Sequence, residues 1–144
     1  MNSIIVRWLI LPLMLVVVAC GSTERKAEAH DIVGEVWSEA EEFCFTNEDS
    51  LAKRDLSIVV RYSMPYVADS LPLRILTISP DSLLIEEPFT LHIPHLADMY
   101  PEEHSFVYRS NVVLGRKGDY LFRLTPEHPV EGISAVGLVV SENK

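Results

Sequence analysis

An antiparallel all-β sandwich of about seven to eight strands is the fold this sequence predicts. Three observations point to it. From about residue 36 the apolar positions recur every second residue and not at helical spacing. The runs are short and rich in β-branched and aromatic side chains. Turn residues separate them at Pro65, Ser79-Pro80-Asp81, Pro94, Pro101, Lys117-Gly118 and Pro126 to Pro129.

The elements follow in chain order. Val33 to Glu42 admits a helical turn but no long helix. Phe43 and Phe45 then alternate around Cys44, after Trp37. Leu56 to Tyr62 is β-branched and aromatic, and Leu71 to Ile78 places Leu73, Ile75 and Thr77 on one face. Leu83-Leu84-Ile85 and Phe89 to Ile93 flank Glu86-Glu87-Pro88. Phe106-Val107-Tyr108 and Val112-Val113-Leu114 come next, and Tyr120, Phe122 and Leu124 then share a face. The last strand runs from Ile133 to Val140, where Gly137 signals a bulge or a close backbone approach. The expected core is Phe43, Phe45, Ile58, Val60, Leu73, Ile75, Leu91, Ile93, Val113, Tyr120, Phe122, Leu124, Leu138 and Val140.

Composition narrows the function. The chain has 144 residues, enough for one domain, with 12 basic and 21 acidic side chains and a formal net charge of −9. That balance argues against nucleic acid as a partner, because phosphate neutralisation needs clustered Lys and Arg. An apolar content of 48% is too high for a disordered acidic chain. Two cysteines are too few for a disulfide scaffold or a Cys-rich zinc module.

The amino terminus reads as an export signal. Arg7 is the only charged side chain in the first 23 residues, and twelve uncharged residues follow it, from Trp8 to Ala19. That run is shorter than the ~20 residues of a spanning helix, and Pro12 interrupts it. Val17-Val18-Ala19-Cys20-Gly21 resembles the bacterial lipoprotein signal, or lipobox, with Val17 at the usual Leu position. The resemblance implies cleavage before Cys20 and fatty-acyl chains (palmitate) on Cys20. Two or more such chains hold a protein firmly in a bilayer. Residues 1–19 are then a signal peptide, 20–32 a polar tether and 33–144 the β-sandwich domain. Removing Arg7 from the 12 basic residues leaves 11 against 21 acidic, a net of −10, so lipid and not a basic face must supply the membrane attachment. Gly21 in place of Asp points towards the outer membrane, by analogy with other lipoproteins.

Catalytic chemistry is not written in the chain, and neither an enzyme nor a cofactor is expected. There is no Gly-x-Ser-x-Gly elbow, and the six glycines are spread too widely for a phosphate-cradling loop. His92, His95 and His104, with Asp98, Glu102 or Glu103, form the one metal-like grouping, but Pro94 breaks its spacing and solvated loop histidines are the favoured reading. Glu41-Glu42, Glu86-Glu87 and Glu102-Glu103 are adjacent pairs, which point to opposite faces of a strand and cannot flank one bond. Cys44 reads as a small, half-buried, unreactive strand residue. The surface with binding character is Arg61, Tyr62, Pro65 and Tyr66, with Met64 among them, because Arg and Tyr are enriched at binding hot spots. The structural alternative is one Tyr capping the core and Arg61 paired with an acidic neighbour.

The order of these features resembles the gliding motility-associated lipoprotein GldH family. The likeness is carried by Cys20, Trp37, Phe43, Phe45 and Asp49, then Val59-Val60-Arg61-Tyr62 with Pro65-Tyr66, and Pro72-Leu73-Arg74-Ile75. It is closest at the end, in Gly118-x-Tyr120-x-Phe122-x-Leu124 and in Pro129 to Leu138, with Val130 at a position the family fills with Leu. Residues 94–111 depart from the family pattern. The resemblance implies a non-enzymatic envelope lipoprotein whose partners belong to a gliding or secretion apparatus. The alternative from another class is a carbohydrate-binding sandwich, whose sign would be several exposed aromatic rings on one face.

Overall fold

A computed structural model describes residues 24–66, 68–94 and 100–143. Cys20, the expected signal peptide, His95 and Asp98 lie outside the described residues. The described residues form ten strands: β1 (Arg25–Asp31), β2 (Val36–Trp37), β3 (Glu41–Asn47), β4 (Lys53–Tyr62), β5 (Ser70–Ile78), β6 (Leu84–His92), β7 (Glu102–Val113), β8 (Gly118–Pro126), β9 (Val130–Glu131) and β10 (Ile133–Asn143). One sheet has the order β1-β10-β4-β7 and the other β3-β8-β5-β6, all antiparallel, with a small β2-β9 ribbon. The architecture is the expected all-β sandwich. The helical turn expected in Val33 to Glu42 is a single 3-10 turn, Val33–Glu35.

Alternation builds the core. Leu56, Ile58, Val60 and Tyr62 of β4 face Phe43 and Phe45 of β3, Leu71, Leu73 and Ile75 of β5 and Tyr120, Phe122 and Leu124 of β8 across the two sheets, all of them buried. Each large apolar side chain removed from water in this way contributes roughly 1.5–3 kcal/mol.

Three expectations need correction. Val113 is exposed and not in the core. Two register shifts in the β4–β7 pairing each place one extra residue on β7, with Asn111 at φ 53°, and together they restore the inward phase of Phe106 and Tyr108, so Val112 packs on the core and Leu114 is buried while Val113 points outward. Cys44 is exposed and not half-buried, because the inward phase belongs to Phe43 and Phe45. The tether expected over 20–32 is largely a strand: β1 pairs with β10 in continuous register from Arg25↔Ser141 to Asp31↔Ala135. Its side chains are almost all exposed, so backbone bonds to the edge of β10 hold it, not burial.

The strand directions give the sandwich two poles. Arg25, Lys53, Val113 and Asn143 end their strands at one pole. In the other sheet Asn47, Ile78, Leu84 and Gly118 do the same. Asn47 ties the two sets together, its buried amide donating to the carbonyls of Leu114 and Arg116 at 2.8 Å each. This is the N-terminal pole. The opposite, distal pole carries the 3-10 turn, the β2-β9 ribbon and the β4–β5 loop.

Candidate functional site

The binding surface expected at Arg61 to Tyr66 lies at the distal pole, but its residues divide. Tyr62 ends β4 in the inward phase and is buried. Its hydroxyl has no hydrogen-bond partner among the described residues. Burial, and then Tyr66, push its pKa far above the ordinary tyrosine value. Tyr62 is therefore a core residue, not an exposed anchor. Tyr66 is half-buried, packs 6.1 Å from the Tyr62 ring and donates its hydroxyl to the carbonyl of Ser70 at 3.0 Å. Arg61 points outward and pairs with Glu103 at 3.2 Å. Such an exposed pair contributes ~0–1 kcal/mol, so the guanidinium is readily available to a partner. Pro65 is exposed.

What the structure adds is apolar. Val33 is 95% exposed, Met64 46% and Val36 41%. Three chain segments bring them together. Ser63 donates its backbone N–H to the Gly132 carbonyl at 2.8 Å, and Gly132 donates to the Glu35 carbonyl at 2.8 Å. The Ser63 hydroxyl donates to the Glu35 carboxylate at 2.9 Å. Gly132 has φ +82°, and a Cβ there would lie 2.4 Å from Met64 Cγ, so only glycine lets Met64 lie across the turn. Met64 was legible as part of the loop motif. Val33 and Val36 were not, because they stand outside any alternating run, and it is the backbone bonds of Glu35 and Ser63 to Gly132 that bring their segment to the turn carrying Met64.

A groove of about 480 Å³ opens between β6 and β7 towards the N-terminal pole. Within it the Tyr108 hydroxyl donates to Glu87, Arg109 pairs with the same carboxylate and stacks on the Tyr108 ring, and Phe89 meets that ring edge-on at 5.1 Å. The neighbouring Glu86 turns the other way, to Arg74 at 2.8 Å. Both carboxylates are thus occupied on opposite faces, as adjacent strand residues must be.

The remaining polar clusters are bonded to themselves. His104 lies 2.7 Å from Glu102, and His92 is exposed. His30 bridges Glu41 at 2.7 Å and Glu28 at 3.0 Å and stacks on Phe43 at 4.6 Å. Among the described residues no three His, Cys, Asp or Glu side chains are placed to share a metal ion. The Cys44 thiol is held above its ordinary pKa by desolvation, then by Asp119 and Glu28. Of two Ser-x-x-Lys spacings, Ser50 to Lys53 and Ser141 to Lys144, the first falls on a turn leading into a strand, where residues three apart do not face each other as they do on a helix. Lys144 lies outside the described residues.

No family model matches the chain, and no curated protein matches it. The fold and the site define an antiparallel β-sandwich whose distal pole exposes Val33, Val36 and Met64, with Arg61 at the same pole.

Proposed function

We propose that this chain is a lipid-anchored protein of the cell envelope that acts by binding another envelope protein through its distal pole. Acyl chains on Cys20 hold it, in the outer membrane by the Gly21 analogy. The observation that supports the binding surface is the exposure of Val33, Val36 and Met64 beside Arg61, at the pole opposite the start of β1. Grouped exposed apolar residues on a polar protein mark interaction sites, and methionine adapts its shape to a partner. Confinement to one membrane raises the effective concentration of partners on the same surface. The likeness to gliding lipoproteins supplies the kind of assembly, one serving gliding or secretion. The carbohydrate-binding alternative finds less support. Trp37 is a core residue whose indole N–H donates to the Glu39 carbonyl, and Tyr62 is buried as well.

Capture from detergent extracts tests the reading. The intact chain should recover an envelope protein, and the double variant Val33→Asp, Met64→Asp should lose at least about tenfold of it, the 1.4 kcal/mol or more that a hot spot contributes. Equal recovery by both would remove the distal pole from the account.

A further inference from the structure

The N-terminal pole carries its own apolar surface. Leu51 is 84% exposed at the tip of the β3–β4 turn. Leu83 and Leu84, 58% and 61% exposed, stand where the β5–β6 turn enters β6, beside the mouth of the groove. Leu51 and Leu83 lie on turns that project from the same end of the sandwich. No core side chain of this fold needs them to be apolar.

The length of chain before β1 says what covers them. Glu24 accepts a backbone bond from Glu142 at 2.8 Å, so pairing persists to the start of β1. Five Cα-to-Cα steps separate Cys20 from Arg25, a reach of at most roughly 18 Å. An acylated Cys20 therefore brings the N-terminal pole within that distance of the bilayer, while the seven residues of β1 carry the distal pole ~20 Å further off. The charge at the near pole is balanced. Arg116 is paired with Asp81 at 3.4 Å and the buried Arg54 with Glu24 at 3.5 Å, and Arg25, Lys26, Lys53 and Lys117 stand against Glu48, Asp49, Asp119 and Glu142. A pole without net charge gains nothing from an anionic surface, so its contact with a zwitterionic one rests on the apolar side chains.

We propose that the N-terminal pole is a second membrane contact, in which Leu51, Leu83 and Leu84 rest at the headgroup–acyl boundary of a zwitterionic bilayer. This rests on the acylation of Cys20. Aliphatic side chains in that layer add apolar burial to the anchor and set the sandwich upright, with Val33 and Met64 presented away from the lipid.

The test uses the mature lipidated protein with Cys44→Ser, so that a fluorophore can be placed through Leu51→Cys, Leu84→Cys or Val33→Cys. All three positions are exposed, and substitution leaves the core untouched. The labelled proteins are reconstituted into phosphatidylcholine vesicles with brominated acyl chains and recovered by flotation. Labels at positions 51 and 84 should be blue-shifted and quenched, and the label at 33 unchanged, with the difference insensitive to salt. Flotation without quenching at 51 and 84 would overturn the contact while leaving the anchor standing. Failure to float would overturn the anchor and the contact with it. Shielding of position 84 in native membranes but not in protein-free vesicles would assign the pole to a protein neighbour and also overturn the proposal.

Discussion

At the scale of single residues, His30 shows how an exposed strand acquires a clasp. Hydrogen bonds donated to Glu28, then to Glu41, raise its pKa above the ordinary 6.5. A raised folded-state value means the protonated ring is favoured in the folded protein. The resulting stability is fully present below the unfolded-state value and is lost as pH rises through the folded-state value. His30 is partly exposed, so the contribution is below about 1 kcal/mol. Urea midpoints measured across that range should fall with rising pH in the native protein, and His30→Gln should flatten the dependence. An unchanged slope in the variant would show that His30 is not the titrating group. Other positions show how far single-residue reading goes. Phe43 and Phe45 were legible from their spacing, and their burial put Cys44 outside. Val113 was misplaced because Val112-Val113-Leu114 is apolar at every position, so the run by itself does not show which residue points inward.

Among the elements, β1 departs most from what its sequence suggests. Arg25-Lys26-Ala27-Glu28-Ala29-His30-Asp31 offers no large apolar side chain to bury, so its pattern reads as linker. It becomes a strand because β10 presents an unpaired edge, and the backbone groups of both are satisfied by pairing. Gly137 makes the fit: a Cβ there would meet the Glu28 carbonyl at 2.9 Å and the Ala29 Cβ at 3.1 Å. The close approach expected at this glycine is thus to β1. Gly137→Val should strip hydrogen-exchange protection from the β1 amides and leave the β4–β10 amides protected. Equal loss in both would mean that β1 is integral to the global fold. The 3-10 turn and the β2-β9 ribbon are as short as elements can be, yet they bring the segment of Val33 and Val36 to the turn that carries Met64.

For the molecule as a whole, the two poles divide the proposed work: one towards lipid, the other towards a partner. The chain's negative charge adds no attraction to an anionic membrane, so attachment should depend on one position. Cys20→Ser should abolish acylation and leave the protein larger by its uncleaved signal. Retention in the pellet at unchanged size would refute acylation. By itself, the sequence determined the strand phase, the sandwich class and the inward set of nearly every strand. Each of these is local, because alternation of side chains follows from backbone geometry over a few residues. Only the tertiary structure decided which strands are neighbours, that residues 25–31 join the sheet, that Tyr62 is core and not contact, and which side chains share a pole. Those depend on pairings between residues far apart in the chain, and no local pattern encodes which edge a strand will meet.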